Sequence, residues 1–440
     1  MTRSSSHRDH VRPRNQPYVE NEEVKARLND LLTSTVYAQS GLYRQLGLRA
    51  RILTLPLMLA AILTLLWRQV PSVHELCRVL NREDLLWCKA TSVSQQALST
   101  RLLEFPSTLF EQVFKDVVPL IQHRWGERVQ RPLPESVRVA LRSFEQVWIA
   151  DGSTLEALFR KLKSLEDTPV GELGGKMMVI LDLVRQTPVA VWIEANPYTH
   201  DTTFMPRLHQ AIGPKTLMLL DRGFWDFRFF EFLINQGAGF ITRVRANGPI
   251  EVLKPLSESP WHRDSQVRLG KGYQGNPILT LRLVEVRRGQ QWHTYLTSVL
   301  DPTVLPPGVV ADLYQRRWRI EESFNLVKRL LGLSYLWTGS PNGIRLQVWA
   351  TWIIYLVLVD LADDLANALS LPVERVSLEM LFRGLYHFSV AHSKGQAHDL
   401  ITYFADPANA DLGTVKARRK KPPTLTFDPA PTTLTAEAYA

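Results

Sequence analysis

"KMMVILDLVRQTPVAVWIEAN", residues 176–196, decides between an all-helical chain and one organised on a sheet. It reads as two strands joined at a turn around Gln186 to Pro188. Upstream, "VWIADGS" (147–153) is a short apolar run ending at Asp151 and Gly152, and these three pieces read as the first strands of a mixed sheet. Downstream, "DTTFMPRLHQAI" (201–212) reads as helix and "TLMLLD" (216–221) as a fully apolar strand ending at Asp221. "FRFFEFLINQG" (227–237) is a helix closed by Gly237, and "FITRVRA" (240–246) is another strand. From about 245 to 300 the chain carries strand-like pieces, Gly-rich turns and two isolated tryptophans, Trp261 and Trp292, before helical pattern returns at "GVVADLYQRRWRIEE" (308–322). The fold class expected is therefore α/β, a mixed sheet flanked by helices with a β-rich insertion.

A chain of 440 residues with 45% hydrophobic content is long enough for two to four domains and a large core. Lys and Arg outnumber Asp and Glu by 52 to 43, for a net charge of +9, which suits a polyanion such as nucleic acid as well as it suits an ordinary basic enzyme. Cys77 and Cys88 stand in no metal-ligand spacing, and the polar, arginine-bearing N-terminus has no signal-peptide pattern, so a cytoplasmic location is expected. Two apolar runs, 52–67 and 348–362, fall short of the ~20 residues that cross a bilayer and read as buried core helices.

Residues 1–20 form a polar basic tail. Residues 21–145 are helical in pattern. Ser72 and Glu75 have the spacing of a capping box, and Ser92 or Ser94 can cap a second helix carrying Gln95, Gln96, Ser99 and Arg101. The pair resembles a helix-turn-helix, and a plain helical bundle is the alternative. Residues 341–411 are helical and apolar, and 412–440 form a basic, Pro-rich tail.

The charged stretch "YQRRWRIEESFNLVKRLL" (314–331) is the richest in chemistry. Read as one helix, it has an apolar stripe of Ile320, Phe324, Val327 and Leu331. A second stripe, roughly 80° around, carries Tyr314, Arg317, Glu321 and Lys328. Glu322 projects toward the far side. Surface ion pairing would account for such a stripe, yet Tyr, Arg and Lys are also phosphate-contacting groups, and a carboxylate among them can hold a divalent cation.

The spacing Tyr-x2-Arg-x3-Glu-x6-Lys, with its embedded "RWRIEE", resembles the signature around the last catalytic carboxylate of the insertion-sequence-four family of DDE transposases. The resemblance covers roughly residues 70–365 and implies two earlier aspartates at strand ends, met by Asp151 in "WIADGSTL" and Asp221 in "LMLLDRGFWD". It implies a ribonuclease-H-like catalytic core over 146–245 and 301–340, with a β-rich insertion over 246–300. The helical 21–145 would bind DNA ends, and 341–411 would be a C-terminal helical region. It further implies that Asp151, Asp221 and Glu321 ligate two Mg²⁺ ions, with Mn²⁺ able to substitute, while Tyr314, Arg317 and Lys328 contact DNA phosphates. Trp292 would stack a flipped base, as insertion aromatics do in relatives that use a hairpin intermediate, or else pack in the insertion's own core; Trp261 is a weaker candidate. Asp182 is a competing acid that no motif supports.

The activity implied is cut-and-paste transposition. The chain would bind terminal inverted repeats and target DNA as double-stranded partners, act as a homodimer in that complex, use no membrane and associate with the nucleoid when bound. A metal-dependent nuclease of the same fold, or a non-catalytic transposase-derived DNA-binding protein, are the other readings.

Overall fold

A computed structural model describes residues 21–49, 51–155, 175–194, 196, 198–245, 250–271, 275–329 and 341–415. The expected tails at 1–20 and, apart from 412–415, at 412–440 lie outside these residues. Among the described residues the chain divides into a helical unit (21–131 and 325–415) and a sheet unit (132–154 and 176–324).

The helical unit begins with α1 (Glu22–Ala38), where the Asn21 side chain accepts hydrogen bonds from the amides of Glu23 and Val24. It continues through α2 (Ser40–Gln45), α3 (Leu55–Trp67), α4 (Val73–Leu80), α5 (Gln95–Glu104) and α6 (Ser107–Glu127). Ser72 Oγ accepts from the Glu75 amide at 3.1 Å, but the Glu75 carboxylate turns to Arg78 instead of closing the box. Of the two candidate serines, Ser94 caps α5. The helix-turn-helix reading needs correction here. Residues 81–94 separate α4 from α5, with an isolated bridge between Leu85 and Cys88, where that motif has a turn of about three to four residues.

The sheet unit opens with α7 (Glu135–Ala140), β1 (Gln146–Thr154), β2 (Lys176–Asp182) and β3 (Pro188–Glu194). The turn between β2 and β3 is held by Asp182, whose carboxylate accepts from the amides of Val184 and Arg185 and from the Arg185 side chain. After α8 (Met205–Ala211) come β4 (Thr216–Leu220), α9 (Phe227–Asn235) and β5 (Gly239–Arg243). Gly237, at φ 71°, closes α9 in the left-handed region that glycine enters without a Cβ clash. Then β6 (Ile250–Glu258), β7 (His262–Leu269), β8 (Leu279–Arg288) and β9 (Gln291–Thr297) lead into α10 (Pro307–Arg316) and α11 (Arg319–Arg329), the last counted with this unit as far as Phe324.

All nine strands form one sheet in the order β3-β2-β1-β4-β5-β9-β8-β7-β6. β2 runs antiparallel to β1, and β1, β4 and β5 are parallel neighbours, which is the ribonuclease-H-like arrangement. The insertion is no separate barrel: β9 pairs antiparallel with β5 and extends the same sheet, covering an edge that would otherwise offer unpaired amides and carbonyls. Both faces of β1 and β4 are covered, which is why those strands are nearly continuous in apolar residues. On one face Trp148, Ala150, Met218 and Leu220 pack under Phe204, Phe229 and Phe230. Strand alternation sends Ile149, Leu219, and after them Asp151 and Asp221, to the other.

α12 (Pro341–Ala368), α13 (Leu378–Ser393) and α14 (Leu400–Ala405) complete the helical unit. The apolar run at 348–362 is part of a 28-residue helix, so its shortness is not what argues against a membrane span. Its burial does: the most apolar window of Asn342–Ala368 is 94% buried. Asp360, Asp363 and Asp364 on this helix pair with Arg27, Arg124, Arg128 and Arg131. The side chain of Asp360 is fully buried among three of those arginines.

Candidate active site

Register alone brings the first two acids together. β1 and β4 are parallel with Ala150 opposite Leu220, so the next residues, Asp151 within β1 and Asp221 just past the end of β4, follow side by side where the pairing of the two strands stops. Strands in that relation lie about 4.8 Å apart, and the carboxyl ends of parallel strands are where open α/β sheets bind ligands. The competing Asp182 is at the opposite end: it faces Trp148 across β1, three residues and about 10 Å from the Asp151 level, with its oxygens committed to the turn.

The third acid arrives on a broken helix. The stretch from 314 to 328 is not one continuous helix. α10 stops at Arg316 and α11 starts at Arg319, joined by bonds to residues three back: Arg317 to Tyr314, Trp318 to Gln315, Ile320 to Arg317 and Glu321 to Trp318. The tightening leaves Tyr314, Arg317 and Glu321 on one edge: Arg317 bonds Glu321 four residues on, and its guanidinium carbon lies 5.9 Å from the Tyr314 ring centre. Tyr314 is only 7% exposed and packs on Tyr295, ring centres 5.3 Å apart. Arg317 is equally buried. Its Nη1 donates to Asp151 Oδ2 and its Nη2 to Glu321 Oε1, each at 3.0 Å. Glu321 thus joins Asp151 through a shared guanidinium, whereas the more exposed Glu322 pairs with Arg319. Lys328 lies further along α11, and Leu331 is outside the described residues.

A fourth acid, missed in the sequence, belongs to this cluster. Asp201 opens the short 3-10 turn before α8, and its Oδ1 lies 2.6 Å from Lys176 Nζ, an ion-pair contact without hydrogen-bond alignment. A β-carbon on Gly152 would collide with Asp201 Oδ1, and one on Gly223 would meet Asp221 Oδ1 at 2.8 Å and Asp201 Oδ2 at 3.3 Å. Gly152 therefore makes room for Asp201, and Gly223 for the carboxylates of Asp221 and Asp201 together. Those glycines were the available signal, but Asp151-Gly152 and Asp221-Arg222-Gly223 also read as plain turns. Gly152 and Gly223 donate their amides to Asp151 Oδ1 at 2.8 Å and Asp221 Oδ1 at 2.6 Å.

Burial pushes the Asp151 carboxyl up to about 7; Arg317 pulls it down, while Asp221 and Asp201 push it further up. Hard oxygen donors with surplus negative charge are the chemistry a divalent cation such as Mg²⁺ relieves. As the side chains stand, with Arg317 spanning Asp151 and Glu321, no group of three His, Cys, Asp or Glu among the described residues is gathered closely enough to hold an ion.

In the insertion, Trp292 on β9 is 36% exposed, with the Arg263 guanidinium 4.8 Å from its ring centre. Trp261 is 65% exposed.

Residues 142–357 match the family described as "Transposase DDE domain". Among curated proteins, a putative transposase, y4zB, of Sinorhizobium fredii is 28% identical over 184 residues, 40% of this chain and 50% of that protein. Transposase InsG for insertion sequence element IS4 of Escherichia coli is 27% identical over 163 residues, 34% of this chain and 35% of that protein. A probable transposase for insertion sequence element IS5377 of Geobacillus stearothermophilus is 23% identical over 197 residues, 43% of this chain and 50% of its own length. The chain thus spans half or less of each of these relatives.

Proposed function

We propose, from the premise that this chain belongs to the DDE transposase family, that it binds the terminal inverted repeats of an insertion sequence and moves the element by cut-and-paste transposition. The observation that carries the reading is the place of Asp151 and Asp221, each next after the last paired residues of parallel β1 and β4, with Glu321 tied to Asp151 through Arg317. Asp151, Asp221 and Glu321 would hold two Mg²⁺ ions, with Mn²⁺ able to substitute, which would activate the attacking oxygen and stabilise the leaving oxygen of an in-line displacement. The chain's own residues do the rest. Arg317 and Lys328 would grip phosphates at the cleaved end, with Tyr314 contacting them by the edge of a mostly buried ring. Trp292, half-exposed and flanked by Arg263, offers a flat face for an unstacked base. Water would cut the element's end, and the freed 3′-OH would attack the opposite strand and then target DNA. The working species is a homodimer on double-stranded DNA, in the cytoplasm and on the nucleoid when bound.

The test is a joining assay with a labelled end taken from DNA flanking the gene and a supercoiled plasmid. Wild-type protein with Mg²⁺ should insert the end, Glu321→Gln should bind it without cutting, and Glu322→Gln should act like wild type. Cutting by Glu321→Gln at the wild-type rate would sink the assignment, and cutting without joining by wild type would favour a nuclease.

A further inference from the structure

We infer that Arg317 is a built-in competitor of the metal: in the free chain its guanidinium holds Asp151 and Glu321 together, and it leaves them for a DNA phosphate when the site is loaded. The inference rests on the reading of these acids as metal ligands and adds how their loading is controlled.

Three observations carry it. Arg317 uses its two terminal nitrogens on two different carboxylates, one from β1 and one from α11, so a single cation already spans the acids that a divalent ion would have to span. It does so from a buried position, where its Nε has no hydrogen-bond partner. A guanidinium held in this way is not fully satisfied, and a planar fork offered a phosphate can make two parallel charge-assisted bonds instead. Finally, Arg317 sits at the junction between α10 and α11, where amides bond three residues back while its own backbone stays helical at φ -51°, ψ -31°. Its long side chain can reorient by rotation about its own bonds, with that backbone unchanged.

The physical consequence is coupling. A guanidinium bonded at once to Asp151 Oδ2 and Glu321 Oε1 fills the space between them and sets its positive charge where a divalent ion bridging the two would sit. Metal affinity is then lowered by the fraction of molecules in which Arg317 is paired, and DNA, by drawing Arg317 to a phosphate, raises it. A chain without an end in its grasp would stay largely unmetallated, which guards against stray cutting.

The experiment is Mn²⁺ titration of the full chain, followed by the loss of free-ion EPR signal, for wild type, Arg317→Gln and Arg317→Lys. Each is measured alone and with a duplex from the gene's flanking DNA. Without DNA, Arg317→Gln should bind Mn²⁺ at least about tenfold more tightly than wild type, as expected when a closed state populated above about 90% is removed. Arg317→Lys, whose point charge cannot reach both acids, should fall between them. DNA should tighten wild type by a larger factor than it tightens Arg317→Gln. Should Arg317→Gln not fold, as judged by circular dichroism, the Lys variant and its DNA dependence carry the same test. Equal Mn²⁺ affinity in wild type and the variants without DNA overturns the competition while leaving the metal reading standing. Absence of Mn²⁺ binding in every protein, even with DNA, removes the metal reading itself.

Discussion

Asp151→Asn should make the free protein more stable, and by an amount that depends on pH. In the folded sheet unit the Asp151 carboxyl titrates near 7, against an ordinary 3.8, chiefly because burial disfavours its charge. Its folded pKa is raised, so the folded state binds the extra proton. Stability is then fully present below about pH 4 and is lost as pH rises through 7. At about 1.36 kcal/mol per pH unit, the charged carboxylate costs the fold roughly 4 kcal/mol at pH 8 and under about 2 kcal/mol at pH 5. Asparagine removes that dependence. The assay is native-state amide exchange of β1 and β4 in EDTA, which reads the opening of the sheet unit without assuming that a two-unit chain melts in one step. Comparing variant with wild type at each pH cancels the intrinsic exchange chemistry. The gap in protection should widen between pH 5 and pH 8 by roughly 2.5 kcal/mol, about seventyfold. A gap that is constant, or that closes as pH rises, would refute the claim that desolvation and neighbouring acids dominate Asp151.

Two further substitutions probe packing. Gly152→Ala places a methyl against Asp201 Oδ1 and Lys176 Cε, so it should destabilise by about 1–3 kcal/mol, with most of that loss gone in an Asp201→Ala background; additive losses in thermal unfolding would mean that Gly152 is not there to admit Asp201. Asp360→Asn removes the fully buried charge shared by Arg27, Arg124 and Arg128, and melting of the helical unit should fall by the equivalent of about 3–5 kcal/mol; a change below about 1 kcal/mol would show that Asp363 and Asp364 suffice.

The sheet was legible because its signals are local. The 176–196 hairpin and the apolar strands ending at Asp151 and Asp221 depend on periods and turns that a single segment contains. Parallel pairing of β1 with β4 is not local, yet the resemblance supplied it. What was not legible depends on contacts between distant residues. Asp201 is one: nothing in "THDTTF" distinguishes it from a helix-opening aspartate, and its place is visible only once Gly152 and Gly223, about fifty and twenty residues away along the chain, are brought against it. The pairing of Asp360 with α1 and α6 is another, since an aspartate within an apolar run reads only as a break in that run.

The 314–331 stretch shows the limit of a wheel most clearly. A wheel assumes equal rotation per residue, and the backbone tightens between Tyr314 and Glu321, though not enough to part Arg317 from either of them. It nonetheless separated Glu321 from Glu322, because the two lie beyond the break on one regular helix, α11, where adjacent residues diverge by about 100°. It could not reveal that Arg317 turns inward. An arginine four residues before a glutamate looks like a surface pair worth about 0.2–0.5 kcal/mol. The same pair becomes a different object when the guanidinium is buried and its other nitrogen reaches an aspartate on a neighbouring strand. Charge that helical spacing would assign to solvent is here placed between two acids brought together by the fold.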